Sequence, residues 1–246
     1  MTDEPAARPP QIVVLGGGLG SRMEPVASGL PKSLIPIRGE PFVHHQLRLL
    51  ASQGIWDVVY VIGFRGEQIR RAVGDGSRFG LAVSYVDEGD RLRGTGGALR
   101  FAHEVGSLDH RFAVIYGDSY LPIDLEPVWA AFDSADCPAL MTVLRNEDRW
   151  DRSNAVFADG RVIAYDKRID HRTAEMRWID YGLSVLRREV VESIPNGGAV
   201  CDLGDVYREL SVRGELAGFE VSTRFFEVGS LDGVAALESY LASADR

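Results

Sequence analysis

Between Leu15 and Lys32 the chain reads LGGGLGSRMEPVASGLPK, a run whose residue types suit a polyphosphate. Gly16, Gly17, Gly18 and Gly20 can bring backbone N–H groups close to an anion, because glycine has no Cβ and adopts positive φ freely. Ser21 sits in the same loop, Arg22 adds a guanidinium fork for phosphate oxygens, and Lys32 adds a compact positive charge. A tight glycine turn with two solvated cations has the same composition, so this loop alone decides nothing. Asp118 follows the apolar run Arg111–Tyr116 and the turn residue Gly117. A carboxylate at the carboxyl end of a buried strand, across from a phosphate loop, is where a divalent cation needs a ligand. Capping the following turn is the ordinary alternative for such an aspartate.

Two common glycine signatures do not fit. G-x-G-x-x-G places Ser21 at its third glycine when counted from Gly16, and Met23 when counted from Gly18. A Walker A loop needs Gly-Lys-Ser/Thr, whereas Lys32-Ser33 follows Pro31 and lies well past the glycines.

The elements that must carry these residues alternate along the chain. Ile12, Val13, Val14 and Leu15 read as a buried strand leading into the glycines. Pro41 opens an amphipathic helix that Gly54 closes, DVVYVI is a second parallel-type strand, a helix follows around Glu67 to Val73, and LAVSYV is a third strand. His44 and His45 are adjacent on the first helix, point about 100° apart, and are expected to be structural or on the surface. RFAVIY and ALMTVLR are further strands, and the segment around Ala158-Asp159-Gly160 reads as a hairpin turn. This alternation predicts an α/β class: a Rossmann-like, mixed but mostly parallel sheet with helices on both faces, formed as one domain over 11–246 behind a mobile tail at 1–10. In such sheets ligands sit beyond the carboxyl ends of the strands, where the loop at Gly16 falls.

Taken together the motifs are more specific than any one of them. The glycine loop followed by PKSLIPIRGEP resembles the signature of sugar-1-phosphate nucleotidyltransferases, L-x-G-G-x-G-S/T-R and then P-K-x-L-x-P-I/V-x-G-x-P. The resemblance continues in order through GTGGAL, YGDS, YDK, IDYG and FEVGS, and is nearest to short heptose or mannose 1-phosphate guanylyltransferases. It implies a GT-A-like fold and Mg²⁺-dependent attack of a sugar 1-phosphate on the α-phosphorus of a nucleoside triphosphate. By the same resemblance Arg22, Lys32 and Asp118 are catalytic, and Leu15, the glycines, Ser21, Gly94, Thr95 and Gly96 bind the nucleotide. Gly117, Asp166, Lys167, Asp180 and Gly182 bind the acceptor, and Asp118 with Glu227 holds the metal. The chain departs from the family's usual wording at Asp166 and Glu227, where Glu and Asp are usual, and at Arg93, which is inserted before GTGGAL.

For the base, Asp87, Glu88 and Asp90 precede GTGGAL and no Gln does. One carboxylate can accept both N1–H and N2–H₂ of guanine, so Glu88 points to GTP over UTP or dTTP. The alternative is that these acids are a solvated loop and backbone groups read the base. UTP, dTTP or CTP as donor, a non-sugar acceptor such as phosphocholine, and a non-catalytic nucleotide-sugar-binding protein also stay open. The last is disfavoured by the presence of Lys32 and both acids.

A net charge of −9 argues against nonspecific nucleic-acid binding but not against a small anionic substrate, whose potential is set locally. Cys137 and Cys201 are isolated and fit reduced thiols. No stretch reaches membrane-spanning length and the opening MTDEPAARPP is polar, so a cytoplasmic protein is expected, as a monomer or homodimer. If Lys32 steadies charge at the α-phosphorus, Lys32→Ala should lower turnover by about 10²–10³ with a much smaller change in substrate affinity. Steady-state kinetics with near-normal turnover in this variant would remove Lys32 from the chemistry.

Overall fold

The structure, a computed structural model, describes residues 10–17, 29–91, 93–195 and 200–244. The expected tail and four of the predicted site residues, Gly18, Gly20, Ser21 and Arg22, lie outside the described residues.

Strands β1 (Gln11–Leu15), β4 (Asp57–Ile62), β5 (Ala82–Asp87) and β6 (Arg111–Tyr116) form one half of a nine-stranded sheet. The rest comes from β8 (Ala139–Arg145), β9 (Ala155–Ala158), β10 (Arg161–Tyr165), β11 (Trp178–Arg187) and β12 (Leu216–Val221), in the order β5-β4-β1-β6-β11-β8-β12-β10-β9. The half from β5 to β6 is parallel throughout. Beyond it only β8–β12 is parallel, because β11 runs antiparallel to both β6 and β8 and the β9–β10 hairpin closes the far edge. The second half is therefore less parallel than strand–helix alternation implies; β11 enters directly after an irregular segment, without the crossover helix that parallel pairing requires. Two small ladders complete the strands: β2 (Pro36–Ile37) with β3 (Glu40–Pro41), and β7 (Ser119–Tyr120) with β13 (Phe226–Glu227).

Period-2 alternation in β1 sends Ile12 and Val14 to one face and Val13 and Leu15 to the other, and both faces are buried. On the first face lie α1 (Phe42–Ser52), α2 (Gly66–Val73) and α4 (Leu125–Ser134), through residues such as Leu47, Ile69 and Phe132. On the second lie α3 (Gly94–Glu104), α5 (Arg188–Glu192) and α6 (Leu203–Val212), through Leu99, Val191 and Tyr207. The last helix, α7 (Leu231–Ala244), packs on Ile37, Phe42, Tyr120 and Phe226 in a separate cluster. Among the described residues no helix is long and apolar enough to cross a membrane.

This order places the site. From β1 the chain moves outward to β4 and β5, then returns to β6 on β1's other side. The crevice beyond the carboxyl ends of β1 and β6 is thus the switch point where such sheets bind ligands. One contact locks the second wall of that crevice: Gly94 opens α3 at φ +72°, and a Cβ there would lie 2.4 Å from the Cys201 carbonyl oxygen. Both the dihedral and the clash with backbone exclude a side chain. Gly94→Ala is expected to destabilise the fold by about 1–3 kcal/mol; an unchanged urea midpoint would show that the contact can relax.

Candidate functional site

The ladders of β1, β4 and β6 run on past their last strand residues. Gly16 N–H donates to Val61 O at 2.9 Å and Gly117 N–H donates to Leu15 O at 2.9 Å, so Leu15, Gly16, Gly17 and Gly117 stand together at the strand ends. They border a cleft of about 230 Å³ whose other walls include Lys32, Glu88, Thr95 and Asp118. Packing explains the first two glycines. A Cβ on Gly16 would sit 2.3 Å from the Tyr60 ring, and one on Gly17 would sit 2.9 Å from Glu88 Oε2.

Glu88 follows β5, its N–H donating to Ile62 O at 2.8 Å. Its side chain is only 9% exposed, with Arg93 Nη1 3.8 Å from Oε1. Arg93 spends its nearest hydrogen bond on the Glu88 backbone carbonyl, at 2.9 Å, and stacks on Phe101. Oε1 is left buried without a hydrogen-bond donor. Burial pushes this carboxyl up to about 7, with Arg93 opposing the rise. The inserted Arg93 is therefore a lid on the acid's backbone rather than a full partner for its carboxylate.

The α3 start needs a correction. The resemblance places Gly94, Thr95 and Gly96 against the nucleotide, but the N–H groups of Gly96 and Gly97 both donate to Cys201 O, at 2.9 and 3.1 Å. Gly94 and Thr95 line the cleft and Gly96 does not. Thr95 Oγ1 accepts from Leu203 N–H at 2.8 Å.

The centre of the cleft joins residues far apart in sequence. Lys32 begins the 3₁₀ turn Lys32–Leu34 and its Nζ lies 2.7 Å from Asp118 Oδ2. Behind it, Tyr60 OH donates to Ser33 Oγ at 3.1 Å. The Asp118 turn is clamped from below by Gln46, whose amide donates to Tyr116 O at 2.9 Å and to Ser119 O at 2.8 Å. From the other side Val228 N–H donates to Asp118 O at 2.9 Å, and Glu227 pairs with Ser119 in the β7–β13 ladder. These bonds bring the Glu227 carboxylate beside Asp118. Glu227 opens to solvent at the mouth of the cleft, yet the surrounding protein and then the Asp118 charge push its carboxyl up to about 7. A carboxylate whose proton affinity is raised by a neighbouring carboxylate is relieved by a cation. Among the described residues no three His, Cys, Asp or Glu side chains converge as a metal cage. A pair of carboxylates completed by substrate phosphate oxygens suits Mg²⁺ better than zinc.

Asp180 on β11 pairs with Val143 just before a bulge at which the register against β8 shifts. Gly182, at φ +96°, makes the bulge, and its N–H donates to Asp180 Oδ1 at 2.9 Å. Burial pushes the Asp180 carboxyl up to about 6 despite that bond and a longer one from Tyr165 OH. Lys167 Nζ lies 2.5 Å from Asp202 Oδ2. Asp166, expected to read sugar hydroxyls, is instead committed to its neighbours: Arg168 Nε lies 2.9 Å from Oδ1, Arg168 Nη2 engages Oδ2, and His171 stands 3.2 Å from Oδ2. The hydrogen bonds and charge of Arg168 hold its carboxyl well below the usual range.

Comparison with known proteins decides the family. The nucleotidyl transferase family model matches residues 11–155, more than half of the 246-residue chain. The chain belongs to this family. A D-glycero-α-D-manno-heptose 1-phosphate guanylyltransferase of Aneurinibacillus thermoaerophilus is 29% identical over 184 residues, 74% of this chain and 76% of the relative. A glucose-1-phosphate thymidylyltransferase of Streptomyces antibioticus is 29% identical over 170 residues, 68% of this chain, which spans only 47% of that relative's length. In structure, HddC from Yersinia pseudotuberculosis complexed with GMP-PN matches with a TM-score of 0.77 at 21% identity, over 95% of this chain and all of that one, and so shares the fold.

Two further residues that shape the cleft were missed by sequence reasoning. Gln46 stands on the buried stripe of α1 with Val43, Leu47 and Leu50, and a lone amide on an apolar stripe was its only signal. Asp202 caps α6, accepting from Gly204 N–H at 2.8 Å, and an aspartate just before LGDVYREL is a helix-start signature that went unread.

Glu88 generates a pH dependence. Its carboxyl stays protonated to about 7 in the folded chain, against an ordinary value of 4.5. The folded state then binds more protons than the unfolded one, so stability is highest below the ordinary value and falls as pH rises through the folded one. His44, whose pKa burial lowers, acts in the opposite sense, so the comparison with Glu88→Gln is diagnostic. Urea midpoints between about pH 5 and 8 should fall less steeply in Glu88→Gln than in the parent; identical slopes would show that Glu88 ionises normally.

Proposed function

We propose that the chain transfers the nucleotidyl group of a nucleoside triphosphate, GTP by preference, to a heptose or hexose 1-phosphate, releasing pyrophosphate with Mg²⁺ as cofactor. The observation that carries this reading is the meeting of Lys32, Asp118 and Glu227 beside the first glycines at the switch point of the sheet. Two anions must approach one another in this reaction, so charge neutralisation and alignment do most of the catalysis.

Lys32 rests on Asp118 in the free protein and turns to the α-phosphate when a triphosphate enters, since a lysine has three donors and can keep its carboxylate while bonding phosphate. Arg22 follows the glycine loop in sequence and would take the departing phosphates. Lys167 holds the phosphate of the acceptor, and Asp180, with only one short hydrogen bond, accepts from a sugar hydroxyl. Asp118 and Glu227 would hold Mg²⁺, which when bound neutralises phosphoryl oxygens. The attacking phosphate oxygen is already ionised at neutral pH, so no residue is needed as a base.

GTP is favoured because Glu88 lines the cleft and has a buried carboxyl oxygen without a donor. Guanine supplies two donors on one edge, while uracil and thymine supply one flanked by acceptors. The relative named as a heptose 1-phosphate guanylyltransferase supports the same choice. The thymidylyltransferase relative keeps dTTP as the competing donor.

Pyrophosphate release from a panel of triphosphates and sugar 1-phosphates, with and without chelator, tests every part. Expected are a clear preference for GTP, loss of activity with chelator, and a GTP preference weakened in Glu88→Gln by about 1–3 kcal/mol. A preference for UTP, dTTP or CTP would reassign the base, and activity in chelator would remove Mg²⁺.

A further inference from the structure

Lys167 has a long, half-exposed side chain, yet an acceptor phosphate needs its ammonium in one place. A flexible four-carbon stem with a strongly hydrated head does not hold such a position unaided. The structure supplies a seat. Lys167 Nζ donates to Asp202 Oδ2 at 2.5 Å, and its stem lies along Gly204, where a Cβ would come within 2.9 Å of Lys167 Cε. Asp202 divides its two oxygens between tasks. Oδ2 takes the lysine, while Oδ1 takes Gly204 N–H at 2.8 Å and faces Thr95 Oγ1 at 3.4 Å.

The segment bearing Asp202 is itself bolted to the nucleotide side of the cleft. Cys201 N–H donates to Arg93 O at 2.9 Å, Cys201 O accepts from Gly96 and Gly97, and Leu203 N–H donates to Thr95 Oγ1 at 2.8 Å. Asp202 therefore cannot drift relative to the loop that carries Arg93 and Thr95.

We propose that Asp202 is the positioning residue of the acceptor subsite: it fixes Lys167 against the nucleotide-binding loop, so that the acceptor phosphate is held in register with the triphosphate. The proposal rests on the function given above. Burial alone would raise the Asp202 carboxyl, but Lys167 and the Gly204 N–H outweigh it and hold the carboxyl below its ordinary value, so the seat stays charged. With one donor on Asp202, the ammonium keeps two for phosphate oxygens.

Asp202→Asn separates this role from helix capping, because asparagine caps as well as aspartate but offers the lysine no charge. In steady-state pyrophosphate release, Asp202→Asn should lower kcat/KM for the sugar 1-phosphate by about 10- to 100-fold, the scale of a misplaced positioning group, with the KM for triphosphate little changed. The melting temperature should match the parent's. Added to Lys167→Ala, the substitution should cost nothing further, since its effect passes through that lysine. Parent-like kinetics in Asp202→Asn, or fully additive losses in the double variant, would overturn the proposal. So would a lower KM for the sugar 1-phosphate, which would make Asp202 a mask over Lys167 rather than a seat. An unsubstituted protein that releases no pyrophosphate from any pair would instead overturn the function itself, and the positioning role with it.

Discussion

The turn after β6 must carry a carboxylate to the mouth of the cleft while leaving two backbone carbonyls, Tyr116 O and Ser119 O, facing the protein interior. Buried carbonyls without donors are costly, and a helix or strand cannot satisfy them where the chain reverses. Gln46 supplies both bonds from one amide, 2% exposed, and so fixes the height and angle at which Asp118 emerges. Val228 N–H fixes the same residue from the opposite side and brings Glu227 with it. Most of the site's geometry depends on this clamp, because the Asp118 and Glu227 carboxylates, the Lys32 contact and the seating of α7 all meet at the two-residue ladder of β7 and β13.

Around that clamp the described cations proposed to bind phosphate stand beside carboxylates. Lys32 has Asp118, and Lys167 has Asp202. In a chain of net charge −9, an anionic cleft would repel its substrates unless local cations were held in place. Ion pairs at the cleft contribute little to stability, but they hold long side chains near their working positions before the substrate arrives. Glu88 is the exception. Its carboxylate is buried with an arginine nearby yet one oxygen unmet, an arrangement that a structural salt bridge would not leave and that a ligand with paired donors would complete.

The bulge at Gly182 shows how the fold adjusts a strand for chemistry. β11 is the longest described strand in the sheet, ten residues, and its pairing with β8 is interrupted between Asp180, opposite Val143, and Ser184, opposite Met141. One glycine at positive φ breaks the register and lets its own N–H bond the aspartate.

Much of the framework was legible from the residues alone, because strands such as Asp57–Ile62 and Arg111–Tyr116 announce themselves by continuous apolar runs and α1 by Pro41 and Gly54 at its ends. Lys32 beside the glycine loop and Asp118 after an apolar run were readable locally, whereas Lys167, Asp180 and Glu227 were named through the resemblance of YDK, IDYG and FEVGS to the family's motifs. What the sequence could not show was pairing. The commitment of Gly96 and Gly97 to Cys201 and of Lys167 to Asp202 depends on which segments meet in space, and hydrogen bonds between distant segments leave no periodicity along the chain. The antiparallel entry of β11 was hidden likewise, since strand direction is set by the preceding connection and not by the strand's own residues. Residue type and local pattern thus determined which groups could do chemistry. Tertiary structure alone decided which remain free to do it, because each donor or acceptor is claimed by whatever the fold places within reach.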